Sequence, residues 1–534
     1  MIIFEVLFGF LGVLVPGLWL LGKVGEEARQ KRIAHAHNFK PEPTCGSARF
    51  ATNDDLKKAG FFKSGGIHIG FSPDSRRKLF FNTAGHLLLV AGARTGKLIS
   101  VLVGAVLSLP KKYSLAIFDP KAEITCICTH FLKSSGRKVF ILNPFEIWLD
   151  RMLGLVQATF NPMSSLDPTS LSFHADCDKL ADAICYEEGT LSDSHWLVSA
   201  RLLISGIIAA LAKYGAAADK NLVAVRNIIT GSAGRSVFDF ARECMALPDI
   251  YIRQKLARFA VRASPGVPGA EESRELNSIV STADSQTGFI CNEAIARNLK
   301  GGANEVSFRA LKREPGTVIS VCLPLDKLDV SHKYFRVLLS TGISDTLAEG
   351  LRGKNTKVFF VADEIAQVGP AKILSDCWGM AAGAAALQIL AVYQDVSQIK
   401  TQFKSTWQTM VANAGAAMYF GIRDPETAEF VSNQCGVTEV LSKARGVTID
   451  LRSGEPVVND STTPTARPLQ HPDEVRFGLK DDEMLLFSDG LPGVCRARRK
   501  AYFRCWNLRG KHRANPYFQK PSFGVADLLR WLFE

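Results

Sequence analysis

Two short stretches of this sequence carry residue types and spacings suited to phosphate chemistry. The first is Ala91-Gly92-Ala93-Arg94-Thr95-Gly96-Lys97-Leu98. It follows the apolar run Leu87-Leu88-Leu89-Val90 and leads into an apolar, helix-compatible run that Pro110 stops. Strand, Gly-bearing loop ending in Gly-Lys, then helix is the layout of a phosphate-binding loop. Successive backbone N–H groups of such a loop converge on phosphate oxygens, and Lys97 would add a point charge at the β- and γ-phosphates. The pattern is degenerate. Ala91 stands where the standard loop has Gly, which is tolerable if its φ is negative. Leu98 stands where a Ser or Thr hydroxyl usually reaches Mg²⁺. Taken alone, the stretch is equally compatible with an ordinary strand-turn-helix and a surface lysine.

The second stretch is Lys357-Val358-Phe359-Phe360-Val361-Ala362-Asp363-Glu364. An apolar strand ending in two acids is the other half of a nucleotide-hydrolysis signature. Asp363 would hold Mg²⁺ and Glu364 would act as general base toward the attacking water. Apolar runs ending in two acids also arise by chance, but both signatures in the right order in one chain are much rarer. Gln394 ends the next apolar run, residues 388–393, where its side chain could contact the γ-phosphate or simply cap the strand.

These residues need a sheet to bring them together. Apolar runs at 115–118, 138–142, 317–323, 357–362, 388–393 and 418–422 alternate with helix-compatible segments, which predicts a parallel α/β sheet. Ligands of such sheets bind at the carboxyl ends of strands, where the Lys97 loop and Asp119 fall. Two further strands are expected at 67–71 and 78–81, and a helix at 53–59. Between 167 and 310 long amphipathic runs replace β-branched alternation, which predicts an all-helical insertion. Residues 251–262 carry Arg253, Lys255, Arg258 and Arg262, best read as a solvated face because acids balance bases across the insertion. Residues 440–465 are polar and turn-rich, a loop or hairpin. The stretch 491–520 holds Arg496, Arg498, Arg499, Lys500, Arg504, Arg509, Lys511 and Arg513 and no acid, with Tyr502, Phe503, Trp506, Tyr517 and Phe518 interleaved. That suits a polyanion whose bases stack, or an edge strand near 500–505 defended by charge.

With 534 residues and 47% apolar content the chain has room for two to four domains, and wholesale disorder is excluded. The net charge of +12 favours anionic partners such as nucleic acid or acidic lipid. Twelve cysteines occur without a CxxC pair, so structural zinc is not expected and the thiols read as reduced. Residues 2–21 are apolar apart from Glu5, enough to cross a bilayer as a helix. Lys23, Arg29, Lys31 and Arg32 follow and place the remainder in the cytoplasm. A cleaved signal peptide fits less well, because no basic region precedes the apolar run.

Taken in order, these stations resemble the type IV secretion coupling proteins, the TraG-type conjugative ATPases. The resemblance spans residues 45–517 and rests on Gly46-Ser47-Ala48-Arg49-Phe50, Arg94-Thr95-Gly96-Lys97, Asp119-Pro120-Lys121-Ala122-Glu123, Asn143-Pro144-Phe145, Phe160-Asn161-Pro162, His195-Trp196, Asp363-Glu364, Gln394, Arg467-Pro468-Leu469 and Pro472-Asp473-Glu474-Val475. It implies a RecA-like P-loop NTPase domain with an inserted all-α domain and an N-terminal transmembrane helix. The layout is an anchor at 1–32, nucleotide-binding halves at 33–165 and 311–520, the all-α domain at 166–310 and a tail at 521–534.

The resemblance further implies ATP and Mg²⁺ as ligands, homo-hexameric assembly with ATP between subunits, and a bacterial inner-membrane location. Its partners would be membrane lipid, secretion-channel proteins, and single-stranded DNA with its relaxase or protein effectors. Two departures stand out: Leu98, and a single membrane helix where many relatives have two. No arginine lies between 371 and 394, which leaves Arg423 as the candidate finger acting across subunits. A nucleotide-inactive substrate receptor or adaptor, or a generic DNA-pumping membrane NTPase, are the alternatives.

Overall fold

The computed structural model describes residues 45–186, 194–232, 234–260, 270–351, 356–384, 386–449 and 456–518. The expected membrane anchor at 1–32 and the tail at 521–534 lie outside the described residues.

The larger of two compact units comprises Arg49–Cys435 and Gln470–Glu534. Eight strands of it run parallel: β3 (His86–Ala91), β4 (Ser114–Asp119), β5 (Val139–Leu142), β6 (Val156–Gln157), β7 (Val318–Cys322), β8 (Val358–Ala362), β9 (Leu387–Tyr393) and β10 (Ala414–Phe420). Four antiparallel strands extend the sheet beyond β10: β13 (Glu483–Ser488), β14 (Cys495–Arg498), β1 (Ile67–Phe71) and β2 (Lys78–Phe81). The spatial order is β2-β1-β14-β13-β10-β3-β9-β8-β4-β7-β5-β6. Every residue of β3, β4, β7, β8, β9 and β10 is buried. Strands covered on both faces need near-continuous apolar runs, and that is the texture these segments have.

The order explains how distant residues meet. β9 lies between β3 and β8, with Val90 opposite Tyr393 and Ala362 opposite Ala391. β8 in turn pairs with β4, Ala362 opposite Phe118. The carboxyl ends of β3, β9, β8 and β4 therefore reach one edge of the sheet together.

A run of helices interrupts the sheet between β6 and β7, from Phe173–Ile184 to Glu293–Leu299. The helix at Ser194–Tyr214 packs on Phe173–Ile184, Ile250–Ala260 and Ala270–Thr287. Its stretch His195–Tyr214 is the one helix among the described residues long and apolar enough to cross a membrane, but 67% of it is buried within the fold, as in a core helix. Of the bases on the 251–262 segment, Lys255 pairs with Asp178 at 2.7 Å and Arg258 with Glu275 at 2.8 Å, while Arg253 is exposed. Arg262 lies outside the described residues.

The basic stretch after residue 491 departs from the edge-strand expectation. No edge strand forms at 500–505. β14 ends at Arg498 and is internal, flanked by β1 and β13, and a short 3-10 turn occupies Tyr502–Arg504. Some of its bases are engaged by the fold: Arg498 pairs with Asp482 (2.7 Å) and Glu483 (3.1 Å), and Arg499 is buried, whereas Lys500, Arg504, Arg509 and Arg513 are exposed.

The smaller unit contains a ribbon of β11 (Val437–Ile449) and β12 (Pro456–Pro468), paired from Val437–Pro468 to Ile449–Pro456. It is the hairpin alternative expected at 440–465, extended at both ends.

At the root of the helical insertion Arg309 donates to the Ser165 carbonyl (2.7 Å) and faces Asp345 (3.4 Å), whose carboxylate also accepts from the Ser165 hydroxyl (2.7 Å). Burial pushes the Asp345 carboxyl up to about 6 against these two donors. A carboxyl raised on folding contributes stability that is complete below its unfolded range near pH ~4 and is lost as pH rises through the folded value. Thermal unfolding of wild type and Asp345→Asn across pH 4 to 8 is expected to show the wild-type advantage shrinking up to about pH 6 and level above it; a constant difference would contradict this.

Candidate nucleotide site

The loop after β3 is shaped by close approach. Arg94 (φ 62°) and Gly96 (φ 85°) are left-handed, whereas Ala91 is not and simply ends the strand. A Cβ on Gly92 would sit 2.6 Å from the Gly421 carbonyl oxygen, and one on Gly421 (φ +59°) would overlap the Thr95 side chain. Two glycines thus let the loop press against the end of β10. Thr95 donates its hydroxyl to the Gly92 carbonyl (2.7 Å) and Ser100 donates to the Gly96 carbonyl (2.7 Å). The following helix opens with a wide turn over Leu98–Leu102, in which the Val103 N–H reaches the Leu98 carbonyl, and continues as Val103–Ser108.

Beneath the loop lies Arg499, the residue just past β14 in sequence. Its Nη1 donates to the Thr95 carbonyl (3.1 Å) and to Ser100 Oγ (3.0 Å), its Nε to the Glu483 carbonyl (3.2 Å), and its guanidinium stacks 3.7 Å over Phe420. Burial draws its pKa down to about 10, so it stays charged at neutral pH. Sequence reasoning counted Arg499 among the tail's bases and missed this role. No spacing signal links it to residue 95.

The two acids arrive from β8. Lys97 Nζ lies 3.6 Å from Asp363 Oδ1 and 4.0 Å from Glu364 Oε1. All three side chains are about nine-tenths buried or more, and neither Lys97 Nζ nor Asp363 Oδ1 has a hydrogen-bond partner. Burial raises the Asp363 carboxyl, with Lys97 opposing. Glu364 is left-handed (φ 55°) and its Oε1 also meets Lys121 Nζ at 2.8 Å. Asp119, ending β4, accepts from the Thr125 N–H and hydroxyl (both 2.8 Å), and burial pushes it up to about 7.

Two further expected site residues, Gln394 and Arg423, follow β9 and β10. Gln394 follows β9, between the loop strand and the acid strand, and its backbone N–H donates to Gln398 Oε1 (2.9 Å). Arg423 is exposed just beyond β10, its carbonyl accepting from Arg476. Leu98 packs against the apolar core. Asn143 and Asn161 close turns: Asn143 bonds both polar groups of Ile147, and Asn161 caps the turn at Pro162–Ser165. Lys121 was noticed only as part of a motif, and its partner could not be read from spacing.

The donor set fits a nucleotide with Mg²⁺. Two buried polar atoms of opposite charge face each other without hydrogen bonds beside a left-handed loop. Among the described residues no group of three or more His, Cys, Asp or Glu could hold a metal. Mg²⁺ suits that arrangement, since it commonly takes one or two carboxylates and fills its shell with phosphate and water.

Residues 49–524 match the type IV secretory system conjugative DNA transfer family. The chain belongs to that family. Conjugal transfer protein TraG of Escherichia coli is 23% identical over 497 residues, covering 87% of this chain and 75% of that protein. TraG of Agrobacterium fabrum is 22% identical over 434 residues, covering 78% and 60%. Among solved structures, the conjugative coupling protein TrwBΔN70 with sulphate superposes with a TM-score of 0.63 at 17% identity, covering 87% of this chain and 96% of that one. The plasmid coupling protein TrwB in complex with ADP and Mg²⁺ gives 0.60 at 17%, with 87% and 96% covered. At these identities the two solved chains establish the α/β fold with its helical insert; the transfer family is established by the match over 49–524.

The Gly92–Gly421 contact gives a test. Gly421→Ala must displace Thr95 and is expected to weaken ATP-analogue binding about tenfold, ~1.4 kcal/mol, in a calorimetric titration. Gly65→Ala, at φ +102° with nothing within 4 Å, is the control: it costs stability, about 1 kcal/mol, and leaves affinity unchanged.

Proposed function

We propose that this chain is the inner-membrane coupling protein of a conjugative type IV secretion system, an ATP-driven motor that hands DNA–relaxase complexes or protein effectors to the channel. The observation that carries the reading is the approach of Lys97 to Asp363 and Glu364, 3.6 and 4.0 Å, from stretches more than 250 residues apart. Conjugal transfer and coupling proteins among its relatives, one of them with ADP and Mg²⁺, support it.

In this reading the amides of Ala91 to Leu98 and the Lys97 ammonium bind the polyphosphate. Asp363 would hold Mg²⁺, which would supply charge neutralisation to the bound polyphosphate. Glu364 takes a proton from water as its oxygen bonds the γ-phosphorus and the bond to ADP breaks, giving ADP and phosphate. Gln394 orients the water or γ-phosphate. Arg423 acts across a subunit boundary in a homo-hexamer. Residues 1–32 anchor the chain in lipid, 33–165 and 311–520 form the nucleotide-binding halves, and the helices of 166–310 face cargo.

The adaptor alternative draws on one observation: Leu98 packs into the core, and the neighbouring hydroxyls of Thr95 and Ser100 already bond loop carbonyls. ATPase assays on the full-length chain, with and without single-stranded DNA, separate the two. Turnover is expected, to fall about 100-fold or more in Lys97→Ala and Glu364→Gln, and to rise in Leu98→Thr. DNA transfer that proceeds with no ATP binding in calorimetry would establish the adaptor. Duplex pumping with no channel partner would instead favour a generic membrane NTPase.

A further inference from the structure

Lys121 stands out as a half-buried charge that the reaction above does not use. It lies two residues past β4, in the loop Asp119-Pro120-Lys121-Ala122-Glu123, and its ammonium makes the shortest polar contact recorded for Glu364, 2.8 Å to Oε1. The same oxygen lies 4.0 Å from Lys97 Nζ. Two cations therefore share one carboxylate oxygen. Their fates differ once a polyphosphate is bound, since Lys97 is the group aimed at the phosphates and Lys121 is on the far side of β8 from the loop strand, beyond β9 and β8 in the sheet order.

The loop that carries Lys121 is itself fixed. Asp119 is tied to the Thr125 N–H and hydroxyl, and Ala122 is left-handed (φ 58°), which turns the chain into the helix Glu123–Ser134. A remote segment pins the outer side: Asn515 donates to Glu123 (2.6 Å), and the Tyr517 hydroxyl donates to the Lys121 carbonyl (3.3 Å), its ring set edge-on against Trp148 at 5.3 Å. Burial lowers the Lys121 ammonium's pKa, but the Glu364 hydrogen bond and charge outweigh it and the pKa is raised. Glu364 occupies a left-handed conformation at the end of a strand, a place where a side chain without an anchor would take several rotamers.

We infer that Lys121 is a positioning residue for ATP hydrolysis: its ammonium fixes the Glu364 carboxylate at the end of β8, in the orientation needed to take the proton from water, after Lys97 has turned to the phosphates. The inference rests on the reading of Glu364 as general base given above. A general base displaced by about an ångström costs on the order of 100-fold in rate, whereas substrate affinity is set elsewhere in the loop.

The test is steady-state ATPase kinetics on the full-length chain for wild type, Lys121→Met, Lys121→Arg, Glu364→Gln and the Lys121→Met/Glu364→Gln double variant. Lys121→Met is expected to lower kcat at least about tenfold with KM within about threefold. Lys121→Arg should recover most of the rate. In the Glu364→Gln background Lys121→Met should cost nothing further, because there is no carboxylate left to hold. Thermal unfolding of each variant separates loss of fold from loss of rate, and should Lys121→Met not fold, Lys121→Gln takes its place. A kcat unchanged by Lys121→Met, or a loss that persists in the Glu364→Gln background, overturns the inference while leaving the ATPase reading intact. A wild type without turnover, or one indifferent to Glu364→Gln, overturns both.

Discussion

The constraint on which the rest of this structure depends is the burial of opposite charges at one edge of a parallel sheet. Lys97, Asp363 and Glu364 have little access to water, and a half-buried Lys121 joins them as the second cation beside two anions. Desolvating any one of them alone is costly, and only mutual proximity offsets it. Backbone topology supplies that proximity: β9 inserts between β3 and β8, and β4 flanks β8, so the four side chains share one edge. The pairing is nevertheless incomplete. At 3.6 Å, Lys97 and Asp363 attract each other without a hydrogen bond, a geometry that holds the site together yet leaves both atoms ready for a ligand. A tighter pair would be more stable and less able to open.

The loop after β3 shows how the surroundings can shape a stretch whose sequence departs from the phosphate-loop pattern. Its conformation depends less on a glycine at position 91 than on what lies around it. Gly421 gives the loop room, and Arg499 ties the Thr95 carbonyl and Ser100 hydroxyl from below. Arg499 has no carboxylate partner among the bonds that hold it: its donors meet carbonyls and a hydroxyl, and its face meets Phe420. A planar guanidinium suits that mixture, with a fork for oxygen and a face for a ring, where a lysine could satisfy only part of it. The antiparallel extension of the sheet is thus part of the site, because it delivers Arg499 to the loop.

What the sequence made legible follows from the kind of signal involved. The strands buried on both faces announced themselves as apolar runs, and their alternation with helices gave the parallel sheet. β10 was the weak case. Its first half, Ala414-Gly415-Ala416-Ala417, has the small residues that close packing against Gly85 requires and none of the β-branched texture that marks a strand, so only its second half was visible. The basic stretch after 491 was ambiguous for a related reason. Bases interleaved with aromatics describe a polyanion surface equally well as a set of cations stacked on the chain's own rings, as Arg499 is on Phe420 and Lys511 on Phe131. Composition cannot tell an intramolecular ring from a nucleobase.

Lys97, Asp363 and Glu364 were legible because each sits in a local pattern: loop then helix, strand then two acids. Lys121 and Arg499 were not, because their partners lie 243 and 404 residues away and no local spacing encodes them. This difference has a physical basis. A backbone cradle or a strand end is built by neighbours in sequence, whereas a buried cation must be placed wherever carbonyls or a carboxylate would otherwise go unsatisfied, and that place is defined only once the sheet has formed. The same reasoning applies to Leu98. Its side chain belongs to the core under the loop, so the position has been given to packing rather than to a metal ligand. With no hydroxyl at that position, the charged groups that the fold brings beside the loop are Lys97, Asp363 and Glu364, and Lys121 meets Glu364 from the end of β4.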